Sequence, residues 1–218
     1  MTIKAVVIDI DDTLCLTEGV CYDMETEIML KMGRKPFSRA VHISTWGTVL
    51  REAILIRSPG IDYGEFKACF QSVMREYVQA GKLDVIPLEN YATLDKLIDD
   101  GKKIILLTSR SELELEHMLR PDHELASSVH EFYHKDNIKY HKPDPRAFDE
   151  LLLNNSLNPD ECVYVGDSVG DAAAAIGAGL KFIASLESGL RSESDFANYP
   201  VDAFVYKFPD IIKFIDKM

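Results

Sequence analysis

The sequence predicts an α/β chain built on a doubly wound, mostly parallel sheet, with a small α-helical domain inserted near its start. Three observations carry this. Short strand-like runs alternate with helical patterns, the order that builds a parallel sheet. The strands are almost continuously apolar, as in Ile3–Ile10 (IKAVVIDI) and Lys103–Thr108 (KIILLT), so both faces of the sheet are expected to be covered. Those two strands are separated by about ninety residues, where a crossover needs only about a dozen.

Each element has its own signal. Cys162–Gly166 (CVYVG) reads as a third buried strand, Lys181–Ser185 and Ala203–Tyr206 as weaker ones, and His130–His134 as a poorly marked one. Tyr91–Asp100 reads as a helix through Leu94, Leu97 and Ile98, with Gly101 ending it. Pro145–Asn154 opens with a proline suited to a first turn, after Asp144 as N-cap, and Asp171–Ala178 is an alanine-rich helix. The inserted stretch carries helical patterns over Tyr22–Met32, Thr45–Ile56 and Tyr63–Gln79, broken at Pro59-Gly60, with Leu83–Pro87 as a return hinge. The expected organisation is therefore a core of residues 1–14 and 83–218 and a helical cap of residues 15–82.

Composition narrows the function. The 218 residues carry a formal net charge of -12, which repels nucleic-acid backbones. It does not exclude a small phosphorylated ligand, because a divalent cation inverts the local field. The four cysteines, Cys15, Cys21, Cys69 and Cys162, form no C-x-x-C pair and suggest reduced thiols in a cytoplasmic protein. No apolar run approaches the length of about 20 residues that spans a bilayer, and the N-terminus lacks the shape of a signal peptide. A soluble protein is expected, without nucleic-acid or membrane partners.

Ligands of open α/β sheets bind beyond the carboxyl ends of the strands. Chemistry-bearing residues collect there. The first strand ends in Asp9-Ile10-Asp11-Asp12-Thr13 and the second in Thr108-Ser109-Arg110. Lys142 opens a loop before a helix, and a later strand ends in Gly166-Asp167-Ser168-Val169-Gly170-Asp171. Singly, each has a bland reading: an acidic turn, a strand-end hydroxyl, a solvated lysine, an N-cap. All four in order at strand ends are hard to obtain by accident.

The set resembles the haloacid dehalogenase-like superfamily. Asp9-x-Asp11-x-Thr13 resembles its first motif, Thr108 its second, Lys142 its third and Gly166-Asp167-x-x-x-Asp171 its acidic fourth. The stretch Lys142–Gly179 is similar to phosphoglycolate phosphatase-like members, and the inserted segment sits where they carry a helical cap. The resemblance implies a Rossmann-like core and Mg²⁺-dependent hydrolysis of a small phosphorylated metabolite. Asp9 would be the nucleophile that forms an aspartyl-phosphate, and Asp11 the acid and base. It implies Mg²⁺ on Asp9, on Asp11 through its backbone carbonyl, and on Asp167. Asp171 either joins them or orients Lys142 and waters. Thr108 and Lys142 would hold the phosphate and stabilise developing charge, with Thr13, Ser109 and Arg110 as further phosphate or substrate contacts.

Two departures stand out. Asp12 occupies a position that is often glycine and would shape the turn. Pro87-Leu88-Glu89 replaces the usual Pro-Gly after the cap, which bears on the hinge. In the cap, Trp46, Arg51, Arg57 and Lys67 are candidate substrate contacts, against the plainer readings of a core tryptophan and surface cations. His117, His123, His130 and His134 form no metal pattern. Three other activities compete. A β-phosphoglucomutase-like mutase would use the same acids. A dehalogenase would not need Asp11. A phospho-aspartate receiver would place its acidic pair and acceptor in another order. Substrate identity and monomer or homodimer state are not encoded in these motifs.

Overall fold

The computed structural model describes residues 2–218. In chain order the elements are β1 (Ala5–Ile8), α1 (Glu18–Lys31), α2 (Arg39–Ser44), α3 (Leu50–Arg57), α4 (Tyr63–Gln79), α5 (Leu88–Asp99), β2 (Lys103–Leu107), α6 (Glu112–Leu115), β3 (Glu131–Tyr133), α7 (Asp149–Asn154), β4 (Cys162–Gly166), α8 (Val169–Gly177), β5 (Lys181–Ser185), β6 (Ala203–Val205) and α9 (Ile211–Ile215). They form two compact units, one of the chain up to Cys15 together with Ile86–Met218, the other of Leu16–Val85.

The first unit is a six-stranded sheet in the order β3-β2-β1-β4-β5-β6, with every pairing parallel. The α/β, doubly wound expectation is met, and the weakly marked strands at 131–133 and 203–205 are its two edges. Side-chain alternation sorts the sheet into two layers. Val6, Ile8, Ile104, Leu106, Val163 and Val165 pack with Leu94 and Leu97 of α5 and Ile211 and Ile215 of α9. Ala5, Val7, Ile105, Leu107 and Tyr164 pack on the other face with Leu151 of α7 and Ala172 and Ala175 of α8. α5 stops where Gly101 takes φ 75°: its N–H donates to Ile98 O at 2.8 Å, and Lys102 N–H reaches Leu97 O at 2.9 Å.

The second unit buries Met24, Ile28 and Met29 of α1 against Ile54 of α3 and Phe66, Phe70 and Val73 of α4. Of the helix expected over 45–56 only the second half forms, as α3 from Leu50. Residues 45–49 are a turn with Gly47 at φ 84°, and α2, which the sequence reading did not mark, ends before it at Ser44. Local side-chain bonds explain the break. Thr48 Oγ1 donates to Thr45 O at 2.7 Å, and Thr45 Oγ1 lies 3.0 Å from Val41 O. The helix expected over Pro145–Asn154 likewise splits, into a 3₁₀ turn (Pro145–Phe148) and α7. Arg57, read from sequence as a surface cation, is buried: its Nη1 lies 2.6 Å from Glu25 Oε2. Trp46 is half-buried, with its ring centroid 5.1 Å from that of His42. Arg51 lies over Tyr63, and Lys67 is exposed.

All four cysteines are free thiols, and burial pushes the Cys162 thiol up to about 12. No helix among the described residues is long and apolar enough to cross a membrane.

Candidate active site

Strand order reverses beside β1, the central strand flanked by β2 and β4, and a crevice opens at such a point beyond the strand carboxyl ends. The register places Ile8 level with Leu106 of β2 and Val165 of β4. Asp9 therefore emerges beside Gly166-Asp167 and close to Leu107-Thr108. Its N–H donates to Val165 O at 2.9 Å.

The turn that follows is tightly wound. The N–H groups of Thr13, Leu14 and Cys15 all point at Ile10 O, at 3.4, 3.0 and 3.2 Å. Asp12 sits inside it at φ 53°, a conformation asparagine and aspartate tolerate better than bulkier residues. Asn90 of α5 donates to Leu14 O at 2.8 Å and ties the turn down.

Three donors and three acceptors meet at Lys142. Its ammonium lies 3.1 Å from Asp9 Oδ2, 2.7 Å from Asp171 Oδ1 and 2.7 Å from the Tyr164 hydroxyl, which uses its full donor capacity. The Tyr164 proton in turn serves Asp171 Oδ1 at 3.0 Å and Leu107 O at 3.2 Å. Asp171 Oδ2 accepts from Ser168 N–H at 3.0 Å and from Ser168 Oγ at 2.6 Å, closing a capping box on α8. Gly166 permits this, since a Cβ there would lie 2.7 Å from Asp171 Cβ.

Electrostatics separates these groups. Burial raises Asp9 to about 7, against the pull of Lys142 and with help from Asp171 and Asp11. Burial also lifts Asp167 well above the usual carboxylate range, reinforced by Asp171 and Asp9. Burial opposes ionisation of Asp171, yet the Lys142 charge and the bonds from Lys142 and Ser168 outweigh it and hold the carboxyl below its ordinary value. For Lys142, burial is outweighed by Asp171 and Asp9, so its pKa rises.

Asp9, Asp167 and Asp171 each offer a carboxylate oxygen, all within 4.8 Å of one another, the single such acidic group among the described residues. Three buried acids face one lysine, and two of them are pushed toward the neutral form. A divalent cation fits this donor set. Both oxygens of Asp171 are engaged, by Lys142 and Tyr164 on one side and Ser168 on the other, and so are both of Asp9, by Ile10 N–H at 2.9 Å and by Lys142 at 3.1 Å.

The other sequence candidates lie nearby in the chain's turns. Thr108 is buried, and its Oγ1 accepts from Arg110 N–H at 3.2 Å, with Ser109 half-buried between them. Arg110 Nη2 lies 2.6 Å from Asp11 Oδ1. Thr13 is buried, and its Oγ1 has no hydrogen-bond partner among the described residues. Sequence reading missed Tyr164 and Ser168. The available signal was a lone hydroxyl in the apolar run CVYVG, in β4 and on the same face as Cys162.

Comparison with known proteins agrees with this geometry. Residues 6–185 match the family model for haloacid dehalogenase-like hydrolases. A phosphoglycolate phosphatase of Pseudomonas fluorescens is 24% identical over 188 residues, spanning 83% of this chain and 68% of that protein. The crystal structure of CbbY from Rhodobacter sphaeroides, in complex with phosphate, aligns with TM-score 0.76 at 20% identity, covering 99% of this chain and 100% of that one. A Thermotoga maritima protein provisionally assigned as a β-phosphoglucomutase aligns with TM-score 0.78 at 21% identity, covering 99% and 100%. With fold, motif order and 180 consecutive matched residues in agreement, this chain belongs to the haloacid dehalogenase-like hydrolase family.

Proposed function

We propose that this hydrolase is a Mg²⁺-dependent phosphatase that removes phosphate from a small metabolite, in the manner of a phosphoglycolate phosphatase, through an aspartyl-phosphate on Asp9. The observation that carries the reading is the placement of Asp9. It ends the central strand with Lys142 3.1 Å from one carboxylate oxygen and a second acid, Asp11, two residues on. The 24% identical phosphoglycolate phosphatase supports the substrate class.

In this reading an Asp9 oxygen attacks phosphorus, and the bond from phosphorus to the leaving oxygen breaks. Asp11 gives that oxygen its proton, so an alcohol departs. Asp11 then takes a proton from water, which attacks the aspartyl-phosphate, frees inorganic phosphate and restores Asp9. Lys142 lowers the charge on Asp9 and faces the incoming phosphoryl oxygens, with Thr108 and Ser109 at the neighbouring strand end. Asp9 and Asp167 would hold Mg²⁺, which neutralises the repulsion between the Asp9 carboxylate and the phosphoryl oxygens. Asp11 favours phosphoryl transfer over dehalogenation, where an acid at this position has no task.

The test is phosphate release from a panel of phosphometabolites with and without Mg²⁺, alongside Asp9→Asn. Mg²⁺-dependent release in the wild type and none in the variant is expected. Turnover of no phosphoester by a folded wild type, or full activity in Asp9→Asn, would overturn the reading. Conversion of glucose 1-phosphate to glucose 6-phosphate without net phosphate release would move the assignment to a mutase.

A further inference from the structure

Ser185 closes β5 with a hydroxyl that is sealed from solvent, at 0% exposure, and that has no hydrogen-bond partner among the described residues. Its place in the sheet is fixed. Val165 and Gly166 of β4 lie level with Ile183 and Ala184, and on the other side Ser185 lies level with Val205 of β6. Leu186 N–H then donates to Val205 O at 2.8 Å and holds the strand end down. One step past the last pair, Asp167 leaves β4 beside Ser185. Val165, Ile183 and Val205 all belong to the layer that packs with α5 and α9. Alternation turns Ser185, two residues after Ile183, to that side of the sheet.

Packing alone does not account for a hydroxyl there. The layer is apolar, and an alanine would fill the position without burying a polar atom. A buried donor left unpaired lowers stability, whereas a hydrogen bond from it to a charged group is stronger than an ordinary one. The carboxylate that register brings to Ser185 is Asp167. It is buried, and it lies among the acids Asp9, Asp12 and Asp171, with the Lys142 ammonium as a cationic neighbour. A carboxylate that turns one oxygen to a divalent cation is oriented by a hydrogen bond to the other.

We propose that Ser185 is a positioning residue of the cation site, whose hydroxyl donates to the Asp167 carboxylate once that carboxylate holds Mg²⁺. This rests on the Mg²⁺ part of the phosphatase reading and deepens it. Ser185 acts through Asp167 and touches no substrate atom. Its hydroxyl is a cost in the cation-free protein and a gain in the loaded one. Removing it therefore weakens cation binding without weakening the cation-free fold, a combination that a packing role does not produce.

The test compares the wild type with Ser185→Ala and Ser185→Cys in the absence of substrate. Mg²⁺ affinity is read by calorimetry, Mn²⁺ affinity by electron paramagnetic resonance of the free ion, and stability by the urea midpoint in EDTA. In Ser185→Ala both dissociation constants are expected to rise about tenfold or more, with a urea midpoint in EDTA equal to or above that of the wild type. Ser185→Cys, of similar size but a weaker donor, should fall between. Made on Asp167→Asn, Ser185→Ala should add little further loss of affinity, because the two residues act as one unit. Unchanged dissociation constants, a lower midpoint in EDTA for Ser185→Ala, or a full tenfold loss retained on Asp167→Asn would each overturn the assignment. A wild type that binds Mn²⁺ but hydrolyses no phosphomonoester overturns the phosphatase reading and leaves Ser185 in its place at the cation site. A wild type that binds neither cation overturns both.

Discussion

Lys142 Nζ lies 2.7 Å from Asp171 Oδ1, and both side chains are almost fully buried. The same carboxylate uses its other oxygen to cap α8 through Ser168. Asp171 thus joins the lysine facing Asp9 to the first turn of the helix after β4. In the proposed reading Asp171 has a positioning task, and Asp9 and Asp167 would hold the Mg²⁺. Asp171→Asn keeps the shape and removes the charge. It is expected to lower kcat by about 10²-fold, as for loss of a preorganised charge partner. Breaking a buried pair from one side also costs stability, about 3–5 kcal/mol. Half-saturation by Mg²⁺ should shift little in Asp171→Asn, whereas Asp167→Asn should raise it about 10–100-fold. Mg²⁺ titrations of activity distinguish the two, and an equal loss of Mg²⁺ response in both variants would make Asp171 a ligand.

Tyr164 supplies the third acceptor of Lys142, and Tyr164→Phe removes only that oxygen. The ring keeps its packing against Phe148 and Phe182, at centroid distances of 5.1 and 6.2 Å. A hydrogen bond to a buried charge is worth about 1.5–3 kcal/mol, so a stability loss of that order is expected in urea unfolding. Lys142 then has one anchor fewer, and kcat should fall about tenfold with KM little changed, a transition-state loss and not a binding loss. Wild-type kcat in Tyr164→Phe would show that Asp171 alone positions the lysine.

The raised pKa of Asp9 predicts how stability depends on pH without divalent cations. Between about pH 4 and 7 the folded protein binds this proton more tightly than the unfolded chain does. The stabilisation is therefore complete at the acidic end and is lost as pH rises through about 7. Asp167, also raised, acts in the same direction. Asp171, held low, acts oppositely, and its contribution is lost as pH falls through the acid range. The Asp9 effect has a ceiling of about 4 kcal/mol and is shared with its charged neighbours. Urea midpoints in EDTA should drop between pH 5 and pH 8. With Mg²⁺ the drop should vanish, because a cation favours the charged carboxylates and binds the folded state alone. A midpoint in EDTA that rises over this range would contradict the burial of Asp9.

What the sequence made legible follows from what is local. The strand ends were readable because apolar runs stop at Asp9, Thr108 and Gly166, and a parallel sheet must bring those ends to one edge. The Ser168–Asp171 box and the Tyr164 bridge were not readable in the same way, since they depend on Gly166 letting Asp171 fold back against the strand. The Arg110–Asp11 fork joins residues 99 positions apart, which no periodicity reports. In the inserted segment, apolar spacing marked helices but not the break at Thr45–Val49, which hydroxyl-to-carbonyl bonds impose. Arg57 looked like a surface cation because its buried partner, Glu25, lies 32 residues away.

That partnership yields a prediction for the helical unit on its own. Arg57 Nη1 reaches both oxygens of Glu25, at 2.7 and 2.6 Å, while Nε donates to Thr45 Oγ1 at 2.7 Å. The paired side chains are 2% and 3% exposed. Arg57→Met leaves the Glu25 carboxylate buried with its strongest partner gone, and Glu25→Met does the same to the guanidinium. Each is expected to cost about 3–5 kcal/mol. The double variant leaves no orphaned charge and should be more stable than either single one, with a coupling of more than about 2 kcal/mol in a double-mutant cycle. Urea unfolding of the four proteins supplies the cycle. Additive losses would mean that Arg57 contributes through Thr45 and its packing on Phe37, and not through the ion pair.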